Sequence, residues 1–76
     1  MVAGYRWRMD QNDIAGTYRH YKGGLYEVLH GARHSETEEE LVVYSSASGE
    51  WWVRPRAMFF ESVAVDGVIV PRFARI

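Results

Sequence analysis

The chain has no cysteine among its 76 residues, which excludes a disulfide frame, a thiolate zinc centre, a cysteine nucleophile and an iron–sulfur cluster. It also lacks a dominant charge. Nine cations stand against ten anions for a formal net charge of -1, so no global positive field recruits nucleic acid or an anionic membrane, and such binding has to come from a local patch. Long apolar runs are missing as well. The opening MVAGYRWRMDQNDIAG has neither the apolar centre of a signal peptide nor any stretch of about 18 apolar residues able to span a bilayer. A soluble, cytoplasmic protein with no membrane partner is the expectation. The length itself excludes a two-domain enzyme, because a chain this short buries only roughly 60% of its unfolded surface in one small core.

What is present favours folding. Hydrophobic residues make up 47% and aromatics 14%, a globular rather than a disordered balance. Residues 1–13 read as an N-terminal arm. Tyr5, Trp7 and Met9 alternate with Arg6, Arg8 and Asp10, the period of a half-buried strand that could cover the chain's own sheet edge or join a second copy as a homodimer. Residues 14–76 read as one small β unit. The Tyr-rich run from Thr17 to Lys22, the pair Gly23-Gly24 and the run from Leu25 to about Leu29 form a hairpin signal, with both glycines expected to supply positive φ. The acidic run Ser35 to Glu40 reads as an exposed loop. Leu41 to Tyr44 and Trp51 to Arg54 make a second hairpin joined by about five loop residues. Pro55 ends that strand and opens a short helical turn over Arg56 to Phe60, with Met58 and Phe59 or Phe60 expected to point inward. Asp66-Gly67 between Val63-Ala64-Val65 and Val68-Ile69-Val70 is a third hairpin, and Pro71 belongs at an edge or bend. Five to six strands and one helical turn give a mainly β class, a small antiparallel barrel or roll. Trp51, Tyr44, Phe59 and Phe73 are the expected core aromatics.

The segments GTYRHYKG, ARHSETEEELVVY, WVRPRAMFFE and DGVIVPRF, in this order and spacing, resemble a bacterial domain-of-unknown-function family, number sixteen fifty-three. The resemblance runs from about Gly16 to Ile76 and implies a roll like the Src-homology-three-like small barrels, with no known activity. The loop Ser45 to Gly49 departs from the family pattern, in which an aromatic usually precedes the glycine.

Candidate chemistry concentrates in Ala32-Arg33-His34-Ser35-Glu36-Thr37, where a cation, an imidazole, a hydroxyl and a carboxylate meet at a strand-to-loop junction. The structural alternative has Ser35 capping a local turn, Glu38 in capping-box position and Arg33 paired to Glu36. His30 and His34 with Glu36 make a poor metal set, since Gly31 interrupts any helix and a strand would hold the imidazoles too far apart; neither a metal nor another cofactor is expected. An enzyme would use His34 or His20 as general base with Glu36 orienting it, yet no GxSxG, P-loop or dinucleotide fingerprint is present. Arginine supplies eight of the nine cations, which favours planar, bidentate recognition of carboxylate or phosphate. The sequence is therefore read as a non-enzymatic binding module for an anionic or carboxylate-bearing ligand, such as an anionic small molecule, a nucleic acid or an acidic peptide. Its site residues are Arg33, His34, Ser35, Glu36, Arg54, His20, Arg72 and Trp52. The alternatives are a hydrolase-like enzyme using His34 and Glu36, or a self-association domain. Deleting residues 1–12 tests the arm: unchanged mass in solution with lower stability marks an intramolecular strand, and a halved mass marks a homodimer.

Overall fold

The computed structural model describes residues 12–76; the N-terminal arm, with its edge-strand and homodimer roles, falls almost wholly outside the described residues. A 3-10 turn at Asn12–Ile14 leads into β1 (Gly16–His20), β2 (Leu25–Arg33), β3 (Glu40–Ser46), β4 (Trp51–Pro55), α1 (Arg56–Phe59), β5 (Ser62–Val65), β6 (Val68–Pro71) and β7 (Phe73–Arg75). All pairings are antiparallel. One sheet has the order β4-β3-β2-β1-β7 and the other is the ribbon β5-β6. The mainly β roll is as expected, with seven strands among the described residues where five to six were foreseen.

The hairpins form where the turn chemistry allows them. Asp66 at φ 52 and Gly67 at φ 80 are the two positive dihedrals of a type I′ turn, whose twist matches the strands it joins. In the first hairpin only Gly23, at φ 111, lies in the left-handed region, and the loop closes through His20 N–H donating to the Gly24 carbonyl at 2.7 Å and Gly23 N–H to the His20 carbonyl at 2.7 Å. Gly24 therefore does not share that task. β2 continues to Arg33, well beyond Leu29, because Leu29 is a β-bulge: Val28 faces Tyr44, His30 faces Val43, and one residue is left over. The bulge turns Gly31 onto the same face as Val28, where it is buried opposite Val42.

One face of the large sheet carries the core, made of Ile14, Tyr18, Val28, Val42, Tyr44, Phe59 and Phe73 with Tyr26 packed against it. Its cover comes from α1. Pro55, at φ -53, turns the chain out of β4, and the single helical turn drives Phe59 inward to 0% exposure. The Phe59 ring stacks on Phe73 with centroids 4.1 Å apart and planes parallel, while Tyr18 and Tyr44 meet it edge-on at 5.4 and 5.3 Å. Met58, expected inside, is exposed, and Phe60 lies half out over Tyr18. Trp51 is also corrected. It pairs with Ser45 on the far face of edge strand β4 and is 69% exposed, because strand alternation sends Trp52, not Trp51, to the core-facing side. The ribbon is tied at its base by Arg72 N–H donating to the Glu61 carbonyl, by the Arg72–Glu61 ion pair at 3.2 Å, and by Tyr21 N–H donating to the Arg72 carbonyl. No helix among the described residues is long and apolar enough to cross a membrane.

Phe59→Ala should cost about 3–5 kcal/mol, close to the whole stability of a chain this size. Trp51→Ala should stay within about 0.5 kcal/mol of the parent. Urea denaturation of both variants checks the pair of expectations.

Candidate functional site

Directly opposed residues of an antiparallel sheet share a face, so the register fixes the site. Tyr18 opposes Tyr26, Tyr26 opposes Ser46, Tyr44 opposes Trp52, Val42 opposes Arg54 and His20 opposes Phe73. All of these side chains stand on the core-bearing side. Toward the sheet centre that side is sealed, but along β4 and at the β2–β3 end it emerges into a groove of about 390 Å³ lined by Tyr26, Tyr44, Ser46, Ser48, Glu50, Trp52 and Arg54. Trp52 is 48% exposed there.

Arg54 is held by rings rather than by a carboxylate. Its Nε donates to the Tyr44 hydroxyl at 3.4 Å, and its guanidinium lies 5.7 Å from the Phe73 ring centroid. Among the described residues, no Asp or Glu sits within 4.0 Å of it. A guanidinium on aromatic faces keeps its outward N–H groups for a partner. His20 packs on the other flank of Phe73, 4.9 Å between centroids, and its Nδ1 accepts the Lys22 N–H at 3.1 Å. Burial pushes the His20 pKa below the ordinary histidine value, and the positive charges of Arg54, Arg72 and Lys22 push it further the same way. Arg72 sends one terminal nitrogen to Glu61, while its Nε is buried with no hydrogen-bond partner among the described residues. The geometry thus brings three of the sequence-derived residues, His20, Arg54 and Trp52, to the Tyr26–Tyr44–Phe73 cluster, with Arg54 and Trp52 lining the groove, while Arg72 is held at Glu61 and reaches His20 through its charge.

The remaining four lie at the last residue of β2 and on the turn that follows it. Arg33 pairs with Glu38 at 3.6 Å, both exposed, instead of with Glu36. His34, not Ser35, organises the turn: its Nδ1 accepts the N–H groups of Glu36 at 3.1 Å and Thr37 at 3.2 Å, and its carbonyl accepts Glu38 N–H at 2.9 Å. Glu38 takes φ 63 to close it. No hydrogen bond joins the His34 ring to the Glu36 carboxylate, so the acid–base pair of the hydrolase reading is not assembled. Nearby lies a separate concavity of about 500 Å³ lined by Glu39, Glu40, Arg56, Ala57 and Phe60, in which Arg56 faces Glu40 at 3.9 Å; two carboxylates against one guanidinium disfavour an anion there. Among the described residues, no three of His, Cys, Asp and Glu gather into a metal-binding group, and the His30 Nδ1 is engaged with the Gly31 carbonyl.

Sequence reasoning missed Tyr26, Tyr44, Ser46, Ser48 and Glu50 as groove residues. The signal available was the period of two from Trp52 to Arg54, which already set a ring and a cation on one face; the neighbours on β2 and β3 needed the register.

A family model described as "Protein of unknown function (DUF1653)" matches residues 16–75. The crystal structure of a protein belonging to that family from Bordetella bronchiseptica is similar to this chain at a TM-score of 0.76, with 36% sequence identity over 82% of this chain and 85% of that one. No curated protein matches.

The depressed His20 pKa gives a signed pH effect. Between the folded-state value and the ordinary value of about 6.5 the unfolded chain binds more protons. The contribution of His20 to stability is therefore complete above about pH 6.5, and it is lost as pH falls through the ordinary value toward the folded one. An NMR titration should place the His20 midpoint below that of the unfolded chain, and Arg54→Gln should raise it by removing one repelling charge.

Proposed function

The chain belongs to the DUF1653 family, a family of unknown function, and we propose that it is a small cytoplasmic binding module whose residues 14–76 act as one unit to take an anionic or carboxylate-bearing ligand. The ligand's charged group meets Arg54. Support comes from one observation above all: Arg54 is positioned by Tyr44 and Phe73, on the wall of an open groove, with no acidic partner among the described residues. By contrast Arg33, Arg56 and Arg72 each face a glutamate, and Arg75 donates to the carbonyls of Asp13 and Ala15. Arg72 and Lys22 add positive potential that reaches the His20 imidazole beside Phe73. Trp52 offers an exposed ring beside the cation. A charge-assisted bond to a planar guanidinium is about twice as strong as a neutral one, and the aromatic floor keeps water from one side of it.

Titration of inorganic phosphate and of a glutamate-rich peptide into 15N-labelled protein tests the reading. The Arg54 Nε–H resonance should move with both, more at low than at physiological salt. Arg54→Gln should weaken peptide binding at least tenfold, equivalent to about 1.4 kcal/mol, whereas Glu36→Gln should leave it unchanged. Shifts confined to Arg33, His34 and Glu36 would transfer the site to the turn and overturn the assignment to Arg54.

A further inference from the structure

Building on that reading, we propose that the groove beside Arg54 takes a nucleotide unit, with the base stacked on Trp52 and the phosphate on Arg54. Three features of the groove select this chemistry. First, Trp52 and Arg54 are two residues apart on one strand face, a spacing of roughly 7 Å; a stacked ring and an anion one sugar away match a ring followed by a cation. Base–aromatic stacking tolerates any base, since every base has a π face. Second, the groove has a polarity along its length. Arg54 stands toward Phe73, and Glu50 stands at the loop end with Ser46 and Ser48, whose hydroxyls bond each other at 2.9 Å. A second carboxylate of an acidic peptide would be repelled by Glu50, while a base edge presents N–H donors that a carboxylate and two hydroxyls accept. Third, positive charge continues past Arg54 through Arg72 and Lys22, whose fields reach the His20 imidazole beside Phe73 together with that of Arg54. A strand could lay further phosphates along them. The acidic residues after β2 do not oppose this, because Glu38 and Glu40 face Arg33 and Arg56 and none of them lines the groove.

The probes are AMP, adenosine, inorganic phosphate, hexa-adenylate and a glutamate-rich peptide, each titrated into the full labelled chain. AMP should shift the Trp52 indole N–H and the Arg54 Nε–H together, with adenosine and phosphate each binding at least tenfold more weakly. Trp52→Ala should lower AMP affinity at least tenfold and Trp52→Phe should largely preserve it, while Trp51→Ala, on the opposite face, changes nothing. Hexa-adenylate binding more tightly than AMP, with affinity falling as salt rises, supports a single strand as the source; equal affinity supports a free nucleotide. If phosphate and peptide move Arg54 but AMP leaves Trp52 in place, the nucleotide inference is overturned and the anion-binding function stands. If no probe moves Arg54, both fall.

Discussion

The stack of Phe59 on Phe73 is the contact on which this molecule turns. A single five-stranded sheet has no second sheet of comparable size to hide its apolar face, and one helical turn supplies the cover instead. The turn can do so because Pro55 fixes the direction of exit from β4 and because the ring it lowers is large enough to meet Tyr18, Tyr44 and Phe73 at once. Edge-to-face and stacked rings add orientation-dependent energy to the area they bury, which matters most where the core is small. The last strand, β7, depends on the same ring, since it pairs with β1 over only three residue pairs.

Core and candidate site are consequently two sides of one aromatic layer. Phe73 touches Phe59 from within, carries Arg54 above its face, and meets His20 on its flank. Tyr44 bridges in the same way, buried against Phe59 and reaching Arg54 with its hydroxyl. The cation of the groove therefore inherits the rigidity of the core without occupying it, which is how a protein of this size can position a binding group on a scaffold rather than on a loop. Three other arginines spend their charge differently even where a ring lies beneath: Arg33 is balanced by a glutamate, Arg56, 5.5 Å from the Phe60 centroid, faces Glu40, and Arg75, 5.7 Å from the Tyr18 centroid, ties the 3-10 turn to β7 through backbone carbonyls.

Much of this was legible from residue order. Asp66-Gly67, the Gly23-Gly24 region and Pro55 announced their turns because each constrains φ directly. Tyr44, Phe59 and Phe73 were readable as core because so short a chain needs its large rings to fill one. Trp51 was not, since two adjacent tryptophans must point to opposite faces and only the register with β3 says which one faces in. The same holds for His34. Its neighbours suggested chemistry, yet an imidazole two residues before a free amide can equally close a turn, and the hydrogen bonds decide in favour of closure. Arg54 was legible as a candidate but not as a cation seated on Tyr44 and Phe73, because the pairing of Tyr44 with Trp52 and of Val42 with Arg54 is a property of strand alignment, which spacing along one chain does not contain.

The bulge at Leu29 carries a consequence for how relatives are to be compared. Up to Val28 the inward residues of β2 fall on even positions, and from Gly31 onward they fall on odd ones. The strand thus has two reading frames joined by a single uncounted residue. A relative lacking that residue would match this chain letter for letter on either side of the joint and still need a one-residue gap inside a strand. Such a gap, ordinarily the mark of a faulty alignment, would here record the point at which the pleat changes phase.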